Sequence, residues 1–193
     1  MGTGDGRAVL AAAAREPTTL VLGIDASAAA MAEASRRAAR PARKGGLENV
    51  RFVLAAAESL PAELAGRAAL VTVLFPWGSL LRGCLNRDDV VACGVAGLIA
   101  PAGVLDLLLA PADRDRLAGV PTSQDAIVGA ATRAFAPHGL EIVVARAATP
   151  GEVAATGSSW ARRLGVAGRN NGSNGSNGSD GNRSPVLIRL ARR

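Results

Sequence analysis

Leu70-Val71-Thr72-Val73-Leu74 runs directly into Phe75-Pro76-Trp77-Gly78-Ser79-Leu80-Leu81-Arg82. The first five residues are apolar and β-rich, as in a strand buried on both faces. Pro76 and Gly78 break that pattern, and the chain then becomes helix-like. The stretch therefore reads as strand, exposed turn, helix. In open α/β sheets, ligands sit at the carboxyl ends of strands. Trp77 stands at such an end, either as a core residue or as a contact surface for a ligand.

Working outward, the same alternation repeats. Thr18 to Asp25, Asn49 to Ala55 and Gly103 to Leu109 are further strands. Arg7 to Glu16, Ser27 to Arg40, Asp88 to Ile99 and Ser123 to Ala136 are helices. Leu140 to Arg146 and Pro185 to Leu190 alternate in hydropathy and predict a final antiparallel pair. Ser158 to Leu164 predicts a short amphipathic helix. Residues 169–184 are an Asn/Gly/Ser run, expected to form a disordered loop before the last strand. The pattern predicts one doubly wound α/β domain over residues 1–193, ending in an antiparallel hairpin.

The amino end starts on Gly2-Thr3-Gly4-Asp5-Gly6, a glycine-rich turn that opens a helix and so aims backbone N–H groups at a ligand. No strand stands before it, which predicts a gap in the sheet. Asp25 follows the glycines by about 20 residues at a strand's carboxyl end, where an acid can accept hydrogen bonds from ribose hydroxyls. It could equally cap the next helix. Ala57 and Glu58 follow the next strand, and the start of the Phe75 stretch follows another. One adenosine-sized ligand could touch all four places.

Composition narrows the function classes. Hydrophobic residues make up 49 %, charged residues 20 % and aromatic residues 3 %, with no tyrosine, so Trp77 and Trp160 are rare choices. The net charge of +6 is uneven: residues 31–51 carry +4 and residues 151–193 carry +5, whereas residues 52–150 carry −2. If the two basic segments share a face, they suit a polyanion. A solvated surface is the plainer reading of either alone. Cys84, Cys93 and the lone His138 show no metal-ligand spacing, and we expect free thiols and no metal. There is no signal peptide and no apolar run of about 18 residues, so a soluble cytoplasmic protein is expected.

These stretches resemble the aminoglycoside-resistance methyltransferases that modify N1 of adenine 1408 in 16S rRNA. The resemblance rests on Gly2 to Gly6, Gly23-Ile24-Asp25, Pro41 to Val50, Ala55 to Pro61, Leu74 to Arg82 and Ser159-Trp160-Ala161-Arg162-Arg163-Leu164, in family order. The glycine turn alone would say only class I methyltransferase. The Phe-Pro-Trp-Gly-Ser-Leu-Leu run and the second tryptophan followed by arginines are specific.

The resemblance implies S-adenosylmethionine as cofactor, with Gly2, Gly4, Asp5, Gly6, Asp25, Ala57 and Glu58 around it. Leu74, Ser79 and Ser158 would line the cofactor and target pocket. Trp77 and Trp160, with Pro76, would form the catalytic set that sandwiches a flipped adenine. Arg36, Arg37, Arg40, Arg43, Lys44, Arg162 and Arg163 would dock on rRNA of the assembled 30S subunit. A monomer without membrane attachment is implied. The family carries a leading hairpin and a first central strand, so we expect the recorded start to lie downstream of the true one. Two other readings remain at this point: a class I methyltransferase for a small molecule, and an inactive, truncated RNA-binding homologue.

Overall fold

The computed structural model describes residues 1–111, 119–163 and 184–193. The expected loop at 169–184 therefore lies almost wholly outside the described residues, as does Leu164. Among the described residues there are six strands and seven α-helices. Helix α1 (Arg7–Arg15) precedes β1 (Val21–Asp25), α2 (Ala28–Ala38) and β2 (Val50–Leu54). Then come β3 (Ala68–Leu74), α3 (Gly78–Cys84), α4 (Asp89–Gly97) and β4 (Ile99–Leu109). The chain closes with α5 (Gln124–Phe135), β5 (Leu140–Ala147), α6 (Pro150–Ala155), α7 (Ser159–Arg163) and β6 (Val186–Arg192). No described helix is long and apolar enough to cross a membrane.

The strands form two hydrogen-bonded sets. β1 and β2 pair in parallel, Val21 opposite Val50 through Asp25 opposite Leu54. The larger set has the order β3-β4-β6-β5, with β3 and β4 parallel and β6 antiparallel to both its neighbours. The predicted antiparallel finish is present, with β6 inserted beside β4 and β5 at the edge. The predicted gap is present too: β1 and β3 do not pair. Met1 to Thr3 bridges them at the carboxyl end. The Met1 ammonium donates to the Thr72 carbonyl (2.8 Å), and the N–H groups of Gly2 (2.8 Å) and Thr3 (3.3 Å) donate to the Ile24 carbonyl.

Alternation along β4 builds the core on both faces. Leu105, Leu107 and Leu109 are buried in the cluster with Leu85, Val91, Val95, Ile127 and Phe135, the side covered by α3, α4 and α5. Leu108 and Ala110 belong to another cluster with Phe75, Val153 and Ala161, which brings in α6 and α7. Helices on both faces make the fold doubly wound.

Two strand starts and one helix depart most from the sequence reading. The first strand starts at Val21, not Thr18, because the Asn49 side chain holds the preceding turn by donating to the carbonyls of Ala13, Glu16 and Thr19 at 2.9–3.0 Å. The fourth strand starts at Ile99, where a helix end was expected; left-handed Ala102 (φ 58°) bends it and the register against β3 shifts there. Helix α6 was not foreseen. Its signal is a capping box in which Thr149 and Glu152 satisfy each other's backbone N–H groups.

Candidate functional site

Gly2, Gly4 and Gly6 have φ of 67°, 52° and 69°, the left-handed region that suits glycine. Space demands glycine as well. A Cβ on Gly6 would lie 2.5 Å from Ala34 Cβ on α2, and one on Gly2 would lie 2.6 Å from Leu80 Cδ2 on α3. At Gly4 the nearest neighbour would be Trp160 Nε1, 3.6 Å away. The glycine turn thus lies against helices from three parts of the chain.

Asp25 ties this turn to the sheet. Its Oδ2 accepts from the Gly4 N–H (2.8 Å) and its Oδ1 accepts from the Ser27 N–H (2.9 Å). The helix-capping alternative is therefore half right: Asp25 supports the entry to α2, while Ser27 itself is the N-cap, accepting from the Ala30 N–H. Each carboxylate oxygen keeps lone pairs beyond these bonds. Asp5 does a local job, pairing with Arg7 at 3.5 Å.

At the end of β2, the Ala55 N–H donates to the Asp25 carbonyl (3.0 Å), so the two strand ends are joined. Ala57 is buried, and Gly94 on α4 packs so close that a Cβ there would lie 1.9 Å from the Ala57 carbonyl oxygen. Glu58 is exposed beside it. At the end of β3, the Phe75 N–H still bonds the Leu108 carbonyl (2.8 Å); Phe75 then turns left-handed and Trp77 opens α3.

These ends surround a cavity of about 480 Å³, a size ordinary for small-molecule sites. Of the sequence-predicted residues, Gly2, Gly4, Asp25, Ala57, Glu58, Pro76, Trp77, Ser79 and Trp160 line it. Trp77 is 41 % exposed and Trp160 is partly buried, so the two rings come to one cavity from β3 and from α7. Asp5, Leu74 and Ser158 do not line it. They border an adjoining cavity of about 380 Å³, which shares Met1, Gly2 and Trp160 with the first and also reaches the Asp106–Arg189 pair. Gly6 borders neither, being buried against α2. Sequence reasoning missed Met1, Ala26, Ala55, Ala56, Phe75 and Leu80 as lining residues. For Phe75 and Leu80 their place in the strand-turn-helix stretch was the available signal.

The polar surroundings have definite partners. Arg189 grips Asp106 through two bonds of 2.7 Å. The Arg146 guanidinium, together with the Thr149 cap, holds the Glu152 carboxyl well below the usual carboxylate range. Burial pushes the Cys84 thiol up to about 12, while Cys93 is exposed. Among the described residues no group of three His, Cys, Asp or Glu side chains gathers as a metal site. One buried hydroxyl in the glycine turn, Thr3 Oγ1, has no hydrogen-bond partner, and Thr3 borders the adjoining cavity.

Arg36, Arg37, Arg40, Arg43 and Lys44 line neither cavity. Arg36 and Arg37 close α2, and Arg40, Arg43 and Lys44 follow on the exposed segment, where 42–44 form a 3-10 turn. Glu33 pairs with Arg36 at 3.0 Å and stands 4.0 Å from Arg40. Arg162 and Arg163 continue the helix of Trp160.

The family model described as "NpmA: 16S rRNA (adenine(1408)-N(1))-methyltransferase" matches residues 1–175. A curated relative of that enzyme name, from Streptoalloteichus tenebrarius, is 38 % identical over 170 residues, covering 85 % of this chain and 78 % of its own length. Among solved structures, a 16S rRNA (adenine(1408)-N(1))-methyltransferase from Catenulisporales acidiphilia was crystallised as a tryptophan-to-alanine mutant with cosubstrate SAM. It superposes with a TM-score of 0.80 at 31 % identity, covering 99 % of this chain and 83 % of that one. The 16S rRNA methyltransferase KamB gives 0.80 at 28 % identity, covering 100 % and 85 %.

Proposed function

The chain belongs to the 16S rRNA (adenine(1408)-N(1))-methyltransferase family, and on that premise we propose that it methylates N1 of adenine 1408 in 16S rRNA, with S-adenosylmethionine as methyl donor. The observation that carries this reading is the single cavity shared by Asp25, Glu58, Trp77 and Trp160. An acid and a second strand end suit an adenosine; two aromatic rings at the same cavity suit a second, flat base.

The residues fit the cofactor. Gly2 and Gly4 leave the backbone bare at the cavity, Thr3 Oγ1 lacks a partner, and Asp25 has spare acceptor capacity. In this reading Asp25 accepts from the ribose hydroxyls, Ala57 and Glu58 stand at the adenine, and Gly2 and Gly4 admit the amino-acid end. Ser79 lines the same cavity, and Asp5, Leu74 and Ser158 act from the adjoining one. Bound S-adenosylmethionine supplies an electrophilic methyl group.

N1 of adenine carries its lone pair at neutral pH, so no side chain has to remove a proton first. The protein's task is then orientation and exclusion of water. Trp77 and Trp160 hold the flipped base by stacking, each aromatic face contributing about 1–3 kcal/mol per base. Pro76 fixes the turn between sheet and Trp77. In this reading Arg36, Arg37, Arg40, Arg43, Lys44, Arg162 and Arg163 neutralise rRNA phosphates on the 30S subunit, and the protein works in the cytoplasm as a monomer. Resistance to aminoglycosides would follow from the modified base.

The test is methylation of purified 30S subunits with labelled S-adenosylmethionine, mapped by primer extension. A stop at position 1408 supports the proposal. Label on a metabolite with none on 30S would favour a small-molecule enzyme, and binding to 30S without label would favour an inactive RNA-binding protein.

A further inference from the structure

Phe75 occupies a conformation that its residue type rarely adopts. Its φ is 48°, and Ala102 and Asn86 are the other described non-glycine residues with positive φ. A bulky residue there is an outlier, and Pro76 restricts the preceding backbone further. Glycine would relieve the strain, as it does at Gly78, where φ is 57° and a Cβ would meet open space. The phenyl ring must therefore contribute something that the backbone turn alone does not.

The ring is only 6 % exposed and belongs to the cluster with Leu108, Val153 and Ala161, against which Trp160 also packs. Val153 lies on α6; Ala161 lies on α7, next in sequence to Trp160. On its other side Phe75 is two residues from Trp77 and bonded through its N–H to Leu108 of β4. Phe75 thus stands beside the turn of Trp77 and in the same buried cluster as the helix of Trp160.

We propose that Phe75 is a positioning residue: its strained turn aims Trp77, and its buried ring holds α7, so that both indole faces are spaced for one flat base. Strain of this kind persists only where the surroundings over-determine it, and such positions gather at ligand clamps. The inference rests on the reading of Trp77 and Trp160 as the base sandwich.

The test compares Phe75→Gly, which relieves φ and deletes the ring, with Phe75→Leu, which keeps an apolar side chain. Two readouts are used. In 30S methylation, Phe75→Gly is expected to lower kcat at least tenfold while S-adenosylmethionine affinity, measured by calorimetry, stays within threefold of the parent; Phe75→Leu is expected to fall between the two. Acrylamide quenching is read separately for Trp160 in a Trp77→Phe background and for Trp77 in a Trp160→Phe background. Phe75→Gly should raise the quenching constant of Trp160 about twofold or more, and Phe75→Leu by less. If a folded Phe75→Gly protein keeps kcat within twofold, or quenching of Trp160 is unchanged in both variants, the proposal is overturned. A fall in cofactor affinity as large as the fall in kcat also overturns it, because Phe75 would then be a structural residue only. If the parent itself leaves 30S unlabelled, the methyltransferase reading fails, and quenching alone decides whether Phe75 positions Trp160.

Discussion

Replacing Asp25 by Ala removes the acceptor of two backbone N–H groups, Gly4 at 2.8 Å and Ser27 at 2.9 Å. Hydrogen bonds to charged groups contribute about 1.5–3 kcal/mol each. The bond to Gly4 is half-buried and takes a middle value; the bond to Ser27 faces solvent and takes less than the lower bound. Together they suggest a loss of about 3 kcal/mol. For a chain of this size, 1 kcal/mol corresponds to roughly 2–4 °C, so Asp25→Ala should melt about 6–12 °C lower without ligand. Asp25→Asn keeps one oxygen and should lose about half as much. If Asp25 also accepts from ribose hydroxyls, affinity for S-adenosylmethionine should fall about 30- to 150-fold, equivalent to roughly 2–3 kcal/mol. Scanning fluorimetry reads the first effect and titration calorimetry the second. A melting shift below about 2 °C would refute the claim that Asp25 ties the glycine turn to the sheet. A large melting shift with unchanged affinity would refute its role at the cofactor.

Other substitutions and conditions test the packing. Gly6→Ala should cost about 2–5 kcal/mol in urea unfolding, since it adds left-handed strain to overpacking against Ala34, 2.5 Å away. Gly45→Ala, at φ 78° with no atom within 4 Å, should cost only about 1–2 kcal/mol. Ellman's reagent should label Cys93 in the native protein and spare Cys84 until unfolding, because burial raises the Cys84 thiol to about 12. In a chain beginning at Met1, burial lowers the amine from 8.0 to about 6. Between those values the unfolded chain holds a proton that the folded one lacks, so stability rises with pH, by up to about 3 kcal/mol. Urea unfolding at pH 6 and pH 8 measures it, and acetylating the amine should flatten that part of the slope.

Much of this was legible because it is local. Strand-turn-helix punctuation at Pro76 and Gly78 depends on backbone torsions, and so does the left-handed glycine turn. The spacing from Gly4 to Asp25 follows from one helix and one strand. Sequence-local signals were less reliable at the edges: Asn49 trims β1 from 30 residues away, and a bend at Ala102 lengthens β4 beyond its apolar run. Helix α6 was missed although its capping box is written in Thr149 and Glu152, because six residues are too few for a periodic pattern.

The sequence by itself determined the residue types at each strand end, the two basic segments and the rarity of tryptophan. Those are properties of composition and short-range order. The tertiary structure decided which of them meet. It brought Trp160 over Gly4 and to the cavity of Trp77, and set Asp5, Leu74 and Ser158 on the neighbouring cavity. It also made the turn at Phe75 a packed joint. Contacts between residues so far apart in the chain depend on how helices seat on the sheet, and the packing of small and large side chains at Gly6, Ala34, Val153 and Ala161 sets that seating.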